Sequence, residues 1–74
     1  MEEKIIEILA DTSGVPAYKI RMETQLVGDL GMSSFDLADI VVRVEEEYGI
    51  HIPDERFPEL QTVEDVIRLA SEVR

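Results

Sequence analysis

Asp29-Leu30-Gly31-Met32-Ser33-Ser34-Phe35-Asp36 is the stretch at which the chain changes character. Before it, from Val15 onward, no hydrophobic period lasts more than a few residues. After it, Phe35, Leu37, Ile40, Val41, Val44 and Tyr48 fall at spacings of three and four, the pattern of a helix. Gly31 permits the sharp bend that separates the two regimes. Ser33 followed three residues later by Asp36 fits a capping box, with Asp as a shorter substitute for Glu or Gln, and Ser34 then takes the first helical position. A group esterified to the Ser34 hydroxyl would lie beside unpaired backbone N–H groups and the positive end of the helix dipole, about half an elementary charge. Serine at helix starts is common, so residue types alone leave open the reading that both serines do no more than begin a helix.

Working outward, the helix beginning at Ser34 is expected to run to about Tyr48. Gly49 supplies a left-handed stop, and Ile50 folds back toward Val44 in a Schellman arrangement. Ile40, Val41, Val44 and Tyr48 make its inward face. Asp36, Asp39, Glu45 and Glu46 are expected to turn outward, with Phe35, Ala38 and Val42 between them. Upstream, Ile5, Ile8, Leu9 and Thr12 form the stripe of a helix from Met1 to about Ser13, closed by Gly14 and Pro16, with Ile6 partly exposed. The long connection from Val15 to Met32 is too long to be left structureless in a small domain. Val15, Ile20, Leu26 and Leu30 are its expected anchors, with a short turn at 16–20; Lys19 and Arg21 read as solvated cations. Downstream, Ile50-His51-Ile52-Pro53 reads as extended, with Ile50 and Ile52 on one side. Asp54 to Phe57 reads as one short turn started by Asp54 and stopped by Pro58, with Phe57 and Leu60 as apolar plugs. His51 has no second His or Cys to form a metal site and reads as surface. The last helix starts at Thr62, capped through Asp65, with Val63, Val66, Ile67, Ala70 and Val73 as its stripe and fraying near Arg74. The expected fold is all-α: one domain over residues 1–74, a four-helix bundle of three main helices and one short one, with a long first loop.

A chain of 74 residues buries only about 60% of its unfolded surface, which disfavours a deep enclosed active site. There is no cysteine, hence neither a disulfide framework nor a thiolate metal site. Met1 leads into Glu2-Glu3 with no basic segment and no long apolar run, so a soluble, cytoplasmic protein without membrane insertion is expected. The net charge of -10, from 17 Asp plus Glu against 7 Lys plus Arg, argues against nucleic acid and for partners with basic surfaces. No P-loop, dinucleotide glycine pattern or nucleophile with a neighbouring base occurs, and the acids lack EF-hand spacing; an enzyme is therefore not expected.

The run Asp29 to Asp36 resembles the attachment motif of the acyl carrier proteins, and the similarity extends through Glu45-Glu46-Glu47-Tyr48-Gly49 and Ile52-Pro53-Asp54-Glu55 to Thr62-Val63. The resemblance implies an acyl-carrier-like fold and a non-catalytic carrier. It implies that Ser34 bears 4'-phosphopantetheine, attached covalently from coenzyme A by a phosphopantetheinyl transferase. Acyl groups then ride as thioesters, most simply in fatty acid biosynthesis, to acyl-transfer, synthase or ligase enzymes with basic docking patches. Partner recognition falls on Phe35, Ala38, Asp39, Val42, Glu45 and Glu46, and a monomer is expected. An interior lined by Ile40, Val44, Ile52, Phe57, Val63 and Ile67 would either be a packed core or admit the acyl chain. This sequence departs from the family's pattern at Ser33, usually Asp, and at Phe35, usually Leu. Three readings stay open beside the main one: attachment at Ser33, which would remove the N-cap side chain from its capping role; a specialised cargo (polyketide, aminoacyl or D-alanyl); and an acidic binding module that is never modified.

Such a small core opposed by like charge is expected to be only marginally stable, since self-repulsion subtracts from a total of about 5–15 kcal/mol. The melting temperature should therefore rise with salt or divalent cations. An unchanged value between low and moderate ionic strength would count against this account.

Overall fold

A computed structural model describes residues 1–73, and the expected fraying near Arg74 lies outside them. Three α-helices, α1 (Glu2–Ser13), α2 (Ser34–Tyr48) and α3 (Val63–Glu72), are joined through two 3₁₀ segments, Ala17–Lys19 and Asp54–Glu59. The described residues form no strand, and an isolated antiparallel bridge pairs Gln25 with Thr62. The all-α bundle with three main helices, a short fourth and a long first loop is thus the observed architecture.

The helix ends follow from local chemistry. Gly14 and Gly49 both adopt the left-handed conformation, with φ of 78° and 63°, and donate back to Ala10 and Glu45. Ile50 N–H reaches the same Glu45 carbonyl at 3.1 Å, completing the Schellman stop. Ser33 and Thr62 cap α2 and α3, and in each case Asp36 or Asp65 returns the bond to the cap's own N–H, giving two capping boxes.

α1 contributes Ile5, Ile8 and Leu9 to the core, α2 contributes Ile40, Val41 and Val44, and α3 contributes Val63, Val66, Leu69 and Ala70. Leu69 is absent from the stripe read in the sequence, which follows Ile67 instead; Leu69 is fully buried and Ile67 only partly. The long loop is held by Ile20, Leu26, Leu30 and a further anchor, Met32, while Val15 is half-buried. Each such side chain contributes about 1.5–3 kcal/mol, enough to offset the cost of ordering a residue or two of backbone. Polar ties finish the job. Leu26 N–H donates to the Gln61 carbonyl at 2.9 Å, and the first amides of α3, Val63 and Glu64, donate to the carbonyls of Thr24 and Met22 at 3.0 and 2.9 Å.

The second 3₁₀ segment corrects two expectations. Pro58 lies inside it instead of stopping it, and the N-cap is Pro53, with Asp54 in the first turn and no side-chain cap. A 3₁₀ segment this short suffers little from a proline, whose fixed φ suits it and whose missing N–H removes one bond. Ion pairs bind this segment to α3. Arg56 donates to both Glu59 and Glu72, and Arg68, paired within α3 to Asp65 at 3.0 Å, also lies 3.9 Å from Glu59. The hydrogen bond from Arg56 is the main reason the Glu59 carboxyl titrates below its ordinary value. Burial pushes the Asp65 carboxyl up, but the N–H groups of Thr62 and Gln61 outweigh it, and the net shift is downward. A carboxyl whose pKa is lowered by folding stabilises the fold above its ordinary range and loses that contribution as pH falls through the lowered value. The melting temperature should therefore drop below about pH 4, and Asp65→Asn should flatten that slope in an acid titration. Thr62→Ala should cost about 1 kcal/mol in denaturant unfolding at neutral pH.

Candidate functional site

The start of α2 is delivered by a short relay of backbone contacts. Leu26, already tied to Gln61, accepts the Met32 N–H at 3.1 Å, and the Met32 side chain is buried. Gly31, between them, takes φ 66°, which is why a glycine stands there. Asp29 shapes the same loop, its carboxylate accepting the Gln25 N–H at 2.8 Å. Ser33 thus arrives with extended backbone, φ -91° and ψ 175°, ready to cap.

The two serines then divide. Ser33 Oγ accepts from Asp36 N–H at 3.3 Å and lies 3.2 Å from Asp36 Oδ2, which also accepts the Ser33 N–H at 2.9 Å. Ser34 is exposed, and its hydroxyl has no hydrogen-bond partner among the described residues. The N–H groups of Ser34 and Phe35, the first two of the helix, likewise have no partner among the described residues, whereas the equivalent pair in α3 is occupied by loop carbonyls. Two helices with the same cap therefore differ in one respect: the first turn of α2 is open to solvent, with donors and dipole suited to an anion beside a free hydroxyl.

Beyond Ser34, α2 presents Phe35, 89% exposed, and Val42, 49% exposed, with Ala38, Asp39 and Glu46 also on the surface. Glu45 departs from this strip. Its carboxylate turns onto the connection after α2, accepting the Ile52 N–H at 2.7 Å and lying 3.2 Å from His51 Nδ1, so that its side chain is only 21% exposed. The expectation that Glu45 faces outward is corrected on this geometry: the chain reverses at Gly49 and brings a buried donor back to it. Asp36 is also less exposed than expected, because its carboxylate serves the cap. His51 is on the surface as expected.

Sequence reading missed Arg43, whose guanidinium leaves the acidic helix to bond Asp11 and Thr12 of α1, each at 2.9 Å. A basic residue within an acidic run was the available signal. The side chains expected to line the interior are packed: Ile40, Val44, Ile52 and Val63 are buried, and Phe57 and Ile67 lie partly buried against them. On the outside, a groove of about 490 Å³ lies between Leu37, one turn beyond the helix start, and Phe57, Pro58 and Leu60. A larger one, about 730 Å³, is lined mainly by charged side chains of α1 and α2, and Ser34 lines neither of the two. Among the described residues no cluster of three or more His, Asp or Glu is arranged to hold a metal, and no helix is long and apolar enough to cross a membrane.

Comparison with known proteins agrees with this anatomy. Residues 3–70 match the family model described as the phosphopantetheine attachment site. The chain is 38% identical over 65 residues to an acyl carrier protein of Clostridium acetobutylicum, covering 88% of this chain and 84% of that one. It is 40% identical over 67 residues to an acyl carrier protein of Nitratidesulfovibrio vulgaris, covering 90% and 88%. The solution structure of an apo doublet acyl carrier protein from prodigiosin biosynthesis superimposes with a TM-score of 0.83 at 18% identity, covering 99% of this chain and 35% of that one, and so speaks for the fold. This chain belongs to the acyl carrier proteins, carriers and not catalysts, whose prosthetic group is covalently attached 4'-phosphopantetheine.

Proposed function

We propose that the Ser34 hydroxyl is the attachment point for phosphopantetheine, and that the exposed face of α2 is what partner enzymes read. The observation that carries the first statement is the contrast between the serines: Ser33 Oγ is engaged in the cap, and Ser34 Oγ is exposed without a partner among the described residues. A phosphodiester on Ser34 would lie within reach of the N–H groups of Ser34 and Phe35. A transferase forms that ester from coenzyme A, the Ser34 oxygen displacing adenosine 3',5'-bisphosphate from the pyrophosphate and giving up its proton, and the arm's thiol, which the polypeptide itself lacks, then carries acyl groups as thioesters. The chain makes no bond itself; it raises the effective concentration of a tethered intermediate at each enzyme it meets.

For recognition, Phe35, Ala38 and Val42 offer apolar area, and Asp39 and Glu46 offer uncompensated charge for a basic patch. The Glu45 carboxylate is engaged by the Ile52 N–H and is left out of this recognition surface. Long-range attraction would make encounters fast and salt-sensitive. We assign the main cargo to fatty acid biosynthesis, with the protein acting as a cytoplasmic monomer. The departures at Ser33 and Phe35 favour, as the second reading, a specialised carrier of polyketide, aminoacyl or D-alanyl cargo. Acyl species recovered on the isolated protein decide between them.

Co-expression with a transferase should add one phosphopantetheine to the intact mass, and Ser34→Ala should abolish the addition. Ser33→Ala should still be modified while losing about 0.5–2 kcal/mol of stability through the lost cap. Modification persisting in the Ser34→Ala protein would sink the assignment. Replacing Asp39 and Glu46 by alanine together should slow transfer at low salt and weaken its salt dependence; unchanged kinetics would remove the docking role of α2.

A further inference from the structure

Glu45 holds the connection that follows α2. Its main-chain carbonyl accepts both the Gly49 and Ile50 N–H groups, while its carboxylate takes the Ile52 N–H at 2.7 Å and lies 3.2 Å from His51 Nδ1. Four consecutive residues, 49 to 52, are thus gathered on one side chain and its own carbonyl. Ile52 is 1% exposed, and Pro53 after it opens the 3₁₀ segment Asp54–Glu59.

That segment has little of its own to fix it. None of its residues is buried, it has no side-chain cap, and Pro58 withholds an N–H. Buried Ile52 and buried Leu60 hold its two ends, and between them it is held by partly buried Phe57 and by the ion pair of Arg56 with Glu72. Phe57, Pro58 and Leu60 in turn line the groove together with Leu37 of α2 and with Val27 and Gly28 of the long loop.

We propose that Glu45 is a positioning residue for acyl transfer: its hydrogen bond to the Ile52 N–H fixes the 3₁₀ wall of the groove next to the start of α2, and partners do not read its charge. The transfer half of this statement rests on the carrier reading above; the structural half does not. Two variants of the full chain separate reach from charge. Glu45→Gln keeps an acceptor at the same length and removes the charge, whereas Glu45→Asp keeps the charge on a side chain one methylene too short.

Amide exchange of Ile52, followed by NMR in the unmodified protein, should be about tenfold or more faster in Glu45→Asp than in Glu45→Gln, the order expected for losing a hydrogen bond to this side chain. In the modified protein, transfer should be slowed by Glu45→Asp and stay within about twofold of the parent in Glu45→Gln, the same tenfold contrast in acceptor strength being felt through the groove. Equal Ile52 exchange in the two variants overturns the proposal outright. Slowed transfer in Glu45→Gln with parental transfer in Glu45→Asp also overturns it and makes Glu45 a docking acid. Because the exchange measurement needs no prosthetic group, a chain that is never modified would defeat the carrier reading and leave the pin itself open to measurement.

Discussion

Hydrogen bonds from the first turn of α3 to the carbonyls of Met22 and Thr24 are the constraint on which the rest of the molecule depends. A helix start must place its orphan donors somewhere, and here they are given to the part of the long loop, Met22 to Thr24, that lies outside any helix. That docking aligns Leu26 with Gln61, Leu26 receives Met32, and Met32 hands the chain to the Ser33 cap. Without it, the long first loop would have only its apolar anchors, and the direction in which α2 begins would be free to vary. The order at Ser34 is therefore inherited from a contact with a different helix.

Charge completes the arrangement. Seven Lys and Arg residues face 17 acids, and the structure spends Arg43, Arg56 and Arg68 on ties within the molecule: Arg43 joins α2 to α1, and Arg56 with Glu72 and Arg68 with Glu59 join the second 3₁₀ segment to α3. Pairs this exposed contribute little individually, typically less than about 1 kcal/mol. Their larger effect is on the surface left behind. Arg43 is committed to Asp11, and neither Asp39 nor Glu46 has an ion-pair partner among the described residues, so their charge is available to a partner with a basic patch.

What was legible in the sequence was whatever short-range chemistry encodes. Both capping boxes, the left-handed glycines and the three helices follow from residues within one turn of each boundary, and all were readable from spacing. The exceptions share a cause. Glu45 pairs with Ile52 across a reversal at Gly49, Arg43 reaches Asp11 across a helix interface, and Met32 donates its N–H to the Leu26 carbonyl across the turn at Gly31; each contact spans more than one helical turn of sequence and depends on how the chain reverses or the helices pack. Pro58 misled because a helix-breaking rule written for α-helices was applied to a 3₁₀ segment. Leu69 is different: it stands three residues after Val66, so helical spacing alone admitted it, and the stripe was traced through its neighbour Ile67.

The serine at position 33, where the family pattern usually has Asp, can now be weighed physically. Capping asks only for a short side-chain acceptor within reach of the third helical amide, and Ser33 Oγ meets that need at 3.3 Å from Asp36 N–H while Asp36 closes the box. Nothing in the fold therefore requires a carboxylate at that position. A carboxylate there would place a negative charge immediately before the hydroxyl proposed to bear a phosphodiester, and next to the two open amides that such a phosphate would use. Serine leaves the helix start intact and leaves that corner less negative. On the proposed assignment of Ser34, the larger consequence of the change falls on recognition at that hydroxyl, since the cap itself is kept.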